Sequence, residues 1–164
     1  MAIIIRGANY ADINVSNPNY LSVAVDFSSA TWNTVATHEL FELTGLVRIS
    51  IWAECTATLT DAADAARIQL GYDGDTDYFI ASTEGATGGV QLIQTGALWY
   101  DTTPDFVPVA VGVSIFNRVM APSGLDIGYE ITGAEFQTGG ITFHLVWQGL
   151  NASGGVTAGA GGVL

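Results

Sequence analysis

The chain has 164 residues, a length suited to one domain with one core. Charged residues make up 12% of it, against roughly 25% in an average soluble protein, and the formal charge of −12 reflects 16 acids set against only four arginines and no lysine. Arg6, Arg48, Arg67 and Arg118 are scattered singly, so no local basic patch exists to displace counterions from nucleic acid or to hold an anionic membrane surface.

Taken in order, residues 1 to 20 open with Ile3, Ile4 and Ile5 and run into a polar SNPNY, which reads as an extended arm suited to pairing with another chain. The apolar stretch is too short for a secretory signal and has no basic residue before it, so the chain is expected to be made in the cytoplasm of its cell. The single cysteine, Cys55, can form no internal disulfide.

THELFEL (37–43) and LVRISIWAECTATL (46–59), joined by Thr44-Gly45, predict an antiparallel hairpin. In the second segment Val47, Ile49, Ile51, Ala53, Cys55, Ala57 and Leu59 fall on one face, with Trp52 and Glu54 on the other. Thr60-Asp61 and the alanines after it allow a single helical turn over 61 to 66. ARIQLGY and DYFIAST predict two strands around the DGDTD turn, and VQLIQTGALWY (90–100) predicts another. Further strands are expected at 106–116, 126–133 and 141–150, with Pro108 marking an edge strand or a strand start. The regular punctuation by Gly, Pro, Asp and Asn predicts an all-β, antiparallel β-sandwich of jelly-roll type spanning 21–150. It is expected to carry an N-terminal arm at 1–20 and a flexible Gly/Ala-rich tail at 151–164.

Little in the chain points to chemistry. Asp73, Asp75, Asp77 and Glu84 occupy the first, third, fifth and twelfth places of a calcium-loop spacing, but the sixth place is Tyr78 where that loop needs glycine, and the flanks have strand character. A smaller calcium site on Asp73, Asp75 and Asp77 stands beside the simpler account of a bare Asp-Gly turn; no other cofactor is implied. His144, beside Thr142 and Val146 on the more polar side of its strand, and His38 lack a neighbouring nucleophile signature and Cys55 sits on the apolar face, so no catalytic residue is assigned and no enzyme activity is expected. Trp32, Trp52, Trp99, Tyr100 and Trp147 are aromatics that could form a sugar-stacking platform or a subunit interface; the shortage of charge favours the interface, with Trp52, Trp99 and Ile3 to Ile5 as its candidates.

The segments VDFSSATWNTVATHELFELTGLVRISIW, IQLGYDGDTDYFIAST, DIGYEITG and ITFHLVWQGL resemble the small β-sandwich structural proteins of tailed bacteriophages and prophages, in particular those that decorate or cement phage heads. The resemblance covers about residues 25 to 160. It implies a virion protein without an active site, binding as a homo-oligomer, commonly a trimer, at symmetry positions of an assembled shell and tying major capsid protein subunits together. A carbohydrate- or receptor-binding module using surface aromatics is the alternative.

Overall fold

The computed structural model describes residues 19–100, 103–108, 118–120 and 125–159. Ile3, Ile4 and Ile5, and most of the arm they belong to, lie outside these. Among the described residues the regular elements are all strands: β1 (Asn19–Asp26), β2 (Thr37–Thr44), β3 (Val47–Thr60), β4 (Arg67–Tyr72), β5 (Asp75–Glu84), β6 (Ala86–Thr87), β7 (Val90–Gln91), β8 (Ala97–Tyr100), β9 (Thr103–Pro108), β10 (Arg118–Met120), β11 (Leu125–Thr132), β12 (Thr138–Gly149) and β13 (Gly155–Ala158). No helix long and apolar enough to cross a membrane occurs there.

Two antiparallel sheets pack face to face as a β-sandwich. One runs β1-β12-β3-β8-β9, with β10 also pairing β3, and the other runs β13-β2-β11-β4-β5. The alternation in β3 places Val47, Ile49, Ile51, Ala53 and Cys55 in the core. Ala57 breaks the pattern and is exposed. Its partner strand is the cause: β12 holds Gly139 and Gly140 opposite this part of β3, and the register slips on both sides of Gly140. An extra residue in one strand of a pair turns the following side chains to the other face.

Across the sandwich, β11 and β12 supply the stacked rings of Tyr129 and Phe143, with Phe27 and Phe136 packed beside them. The Tyr129 hydroxyl donates to the Trp32 carbonyl at 2.6 Å, which satisfies the polar end of an otherwise buried ring.

Several sequence expectations are corrected. β2 and β3 do not pair as a hairpin but lie in opposite sheets. The chain crosses between layers at Gly45, which has φ 58° and where an added Cβ would sit 2.5 Å from the Ser153 carbonyl carbon. Only glycine fits a left-handed turn pressed so closely against another backbone. The 90–100 segment is not one strand: residues 92–96 leave the ladder, turning at Gly96 with φ 84°, so that β7 pairs with β6 in a small third sheet while β8 joins β3. Residues 61–66 form no helical turn, because the Asp61 carboxylate takes the N–H groups of Ala63 and Ala66 at 2.9 and 2.7 Å and folds the loop about itself. The tail also begins in order, since β13 pairs with β2 from Gly155↔Thr44 to Ala158↔Phe41. Strand pairing needs backbone groups, which glycine supplies as well as any residue. Pro108 ends β9 at the edge of its sheet, as its missing N–H requires.

Candidate functional site: an aromatic ladder on the outer face

The outer face of the first sheet follows from the strand period. β1, β12 and β3 are in register along Ser22↔His144↔Trp52, and every second residue on each strand points away from the core. His144 is sandwiched on this face. The Trp52 ring lies 5.1 Å from it at 14° and the Tyr20 ring 6.0 Å away at 25°, so three near-parallel rings cross three strands.

The polar ends of this ladder are partly satisfied. Tyr20 and His144 Nδ1 are 2.7 Å apart, while His144 Nε2 is buried 3.9 Å from the Glu54 carboxylate, too far for a hydrogen bond. With the imidazole proton on Nε2, facing Glu54, the Tyr20 hydroxyl donates to Nδ1. Burial lowers the pKa of His144, and the charge of Glu54 opposes that shift without cancelling it. The ring is therefore neutral at pH 7. Sequence reasoning placed His144 and Trp52 on this face and missed Tyr20, whose position depends on β1 joining β12 from the far end of the chain.

Beside the ladder, where β1 and β3 meet the glycines of β12, opens a cleft of about 500 Å³ lined by Ala24, Asp26, Ser28, Thr56, Gly139 and Gly140 among others. Gly140 keeps its floor open, because a Cβ there would meet the Thr56 hydroxyl at 2.8 Å. Asp26 accepts both the N–H and the hydroxyl of Ser28, at 2.9 and 2.7 Å, which holds its pKa below the usual carboxylate value. The cleft thus offers a fixed acceptor among small side chains.

The remaining candidates lie elsewhere. Trp99 is no surface residue: it is fully buried, its Nε1–H donating to the Thr83 hydroxyl at 3.0 Å, so its place as an interface residue is corrected to the core. Its strand β8 joins β3 with Trp99 opposite Ala53, on the inward side. His38 is also fully buried, stacked on Tyr129 at 4.9 Å and donating from Nε2 to the Thr34 carbonyl at 2.9 Å. Burial pushes the Cys55 thiol up to about 11, which makes it a poor nucleophile.

The acidic turn is tighter than expected, with only Asp73 and Gly74 between β4 and β5. Asp75 and Asp77 lie together on β5, and a hydrogen bond with Asp77, joined by its charge, raises the Asp75 pKa. Asp73 points to a different neighbourhood: its N–H donates to the Asp126 carbonyl at 2.9 Å, and its charge acts on the Asp126 carboxyl together with Glu39 and Glu42. Among the described residues no group of three or more His, Cys, Asp or Glu is placed to hold a metal ion. Compared with models of known protein families, with curated proteins and with solved structures, the chain matches none.

Proposed function

We propose that the chain is a non-enzymatic structural protein of a tailed-phage virion, decorating or cementing an assembled shell as a homo-oligomer in contact with the major capsid protein. The observation that carries this reading is the Tyr20–His144–Trp52 ladder, a rigid aromatic surface on an open sheet face of a charge-poor chain. Aromatic residues are enriched and charges depleted at the centres of protein interfaces. A ligand that prefers the assembled shell to loose subunits stabilises the shell by mass action over many sites, with no chemistry required.

The test is co-sedimentation of the purified protein with shells assembled from the major capsid protein of the virus that encodes it. The wild type is expected to saturate them, and Trp52→Ala to weaken binding at least about tenfold, the loss of roughly 1.4 kcal/mol. Deletion of residues 2 to 15 asks in the same assay whether the arm contributes a strand to the shell. No binding by the wild type sinks the proposal.

A second reading is favoured by the cleft beside the ladder. Small residues, hydroxyls and the Asp26 carboxylate suit the edge of a neutral sugar. A glycan array that lights up for the wild type and goes dark for Asp26→Asn would favour it over the shell.

A further inference from the structure

Among the described residues the edges of the two sheets are not alike. β5 carries Asp75, Asp77 and Glu84 and breaks register twice against β4; β13 has four residues; β9 contains Pro104 and Pro108; β10 is three residues beginning with Arg118. Shortness, bulges, prolines and charges are the devices that keep a sheet edge from pairing with another chain. β1 has almost none of them. It runs eight residues in unbroken register from Asn19↔Trp147 to Asp26↔Gly140, contains no proline, and holds a single charge at its last residue. Its inward side chains are also unfinished: Val25 is buried, but Leu21 and Val23 pack against the core while staying partly exposed.

We propose that β1 is a self-recognition edge, pairing antiparallel with β1 of a second copy about a two-fold axis at Val23 and joining two sheets into one. Side chains alternate between faces, so core-facing residues must meet core-facing residues, and only pairings whose residue numbers share parity keep the faces matched. An axis at Val23 sets Leu21 opposite Val25, Ser22 opposite Ala24 and Tyr20 opposite Asp26. The inner row becomes continuous apolar surface, and the outer row pairs Ser22 with Ala24 and Tyr20 with Asp26. No carboxylate faces its own copy, because Asp26 meets a phenol. An axis at Ser22 is poorer, since it sets Val25 against Asn19 and carries Asp26 past the start of the strand.

Charge argues for the same edge. Each copy carries −12, and two such bodies repel least where the approaching surfaces are nearly uncharged. β1, with one charge in eight residues, is such a surface. The contact should therefore tighten as salt screens the rest of the molecule.

The inference does not depend on the virion reading, and its test uses no capsid. Facing residues in an antiparallel pair have Cα atoms roughly 4.5–5.5 Å apart, within reach of a disulfide. Under mild oxidation Val23→Cys is expected to give a covalent dimer, Ser22→Cys alone to give little, and the Ser22→Cys/Ala24→Cys double variant to give one again. The wild type serves as the control for buried Cys55. Light scattering of the wild type should show a two-chain species that strengthens from low to moderate salt. A monomer at every concentration, a three-chain species, or equal cross-linking by Val23→Cys and Ser22→Cys overturns the proposal.

Discussion

Tyr129 and Phe143 meet across the middle of the sandwich, one from each sheet, with ring centroids 5.4 Å apart and planes within 4° of parallel. Both are fully buried, so the pair pins the two layers at one separation. Truncating Phe143 to Ala should cost about 3–5 kcal/mol, the usual range for an aromatic removed from a close-packed core. Tyr129→Phe keeps the ring and strips the Trp32 carbonyl of its donor, for a smaller loss of roughly 1–2 kcal/mol. Urea unfolding of the two variants should rank them in that order.

The His144 stack predicts a pH dependence of definite sign. Its folded pKa lies below the ordinary 6.5, so the unfolded chain binds a proton more readily than the folded one. Stability from this group is complete above 6.5 and is lost as the pH falls through that value toward the lower folded pKa. Melting temperature should drop between pH 7.5 and 5 in the wild type and drop less in His144→Gln. An equal slope in both would show that the ring does not report acidification.

Asp126 has the opposite sign. Burial, with the charges of Glu39, Glu42 and Asp73 around it, raises its pKa, so the folded state is handicapped once the carboxyl ionises. Asp126→Asn should raise the melting temperature at pH 7 and lose that advantage near pH 3, where the wild-type carboxyl is itself protonated. A variant less stable than wild type at pH 7 would mean that the carboxylate makes a contact worth more than the repulsion it suffers.

The acidic turn can be read by titrating its carboxyls in an NMR experiment. Asp75 should titrate above the ordinary aspartate value and return toward it in Asp77→Asn, because the shift comes chiefly from that neighbour. Calcium decides between the turn and a metal site. If millimolar calcium leaves the Asp75 titration unmoved, the pair is only a crowded strand end; a large downward shift would show that a cation sits there.

Gly133 offers a structural check on the loop that precedes β4. Its φ is 78°, and an added Cβ would stand 2.0 Å from the Ala65 carbonyl oxygen. Gly133→Ala combines a left-handed backbone with a backbone clash and should cost more than about 2 kcal/mol. A melting curve indistinguishable from wild type would mean that this loop yields freely.

Much of the fold was legible because its strands alternate. Val47 to Cys55 could be assigned to the core from period alone, and Trp52 and Glu54 to the opposite face. What alternation does not encode is the partner. Thr44-Gly45 looks like a hairpin turn whether the next strand joins the same sheet or crosses to the other, and the Gly45 backbone packed on Ser153 is a long-range fact. The glycine-rich tail misled for a related reason: Gly154, whose Cβ would sit 2.4 Å from the Leu46 carbonyl, is small because backbones touch there. At the candidate site, Trp52 and His144 were legible as outward residues, Tyr20 was not, and Trp99 was misplaced: it shares the buried side of its segment with Ile93 and Ala97.

The bond between Tyr20 and His144 joins residues 124 positions apart. β1 is the first of the described strands to leave the ribosome, and its partner β12 is among the last, so at roughly 5–20 residues per second β1 waits on the order of ten seconds before it can pair. During that wait its apolar side chains are open to solvent and to neighbouring nascent chains. A chain built this way folds late and all at once, and conditions that slow translation of its last third should raise its losses to aggregation more than conditions that slow the first.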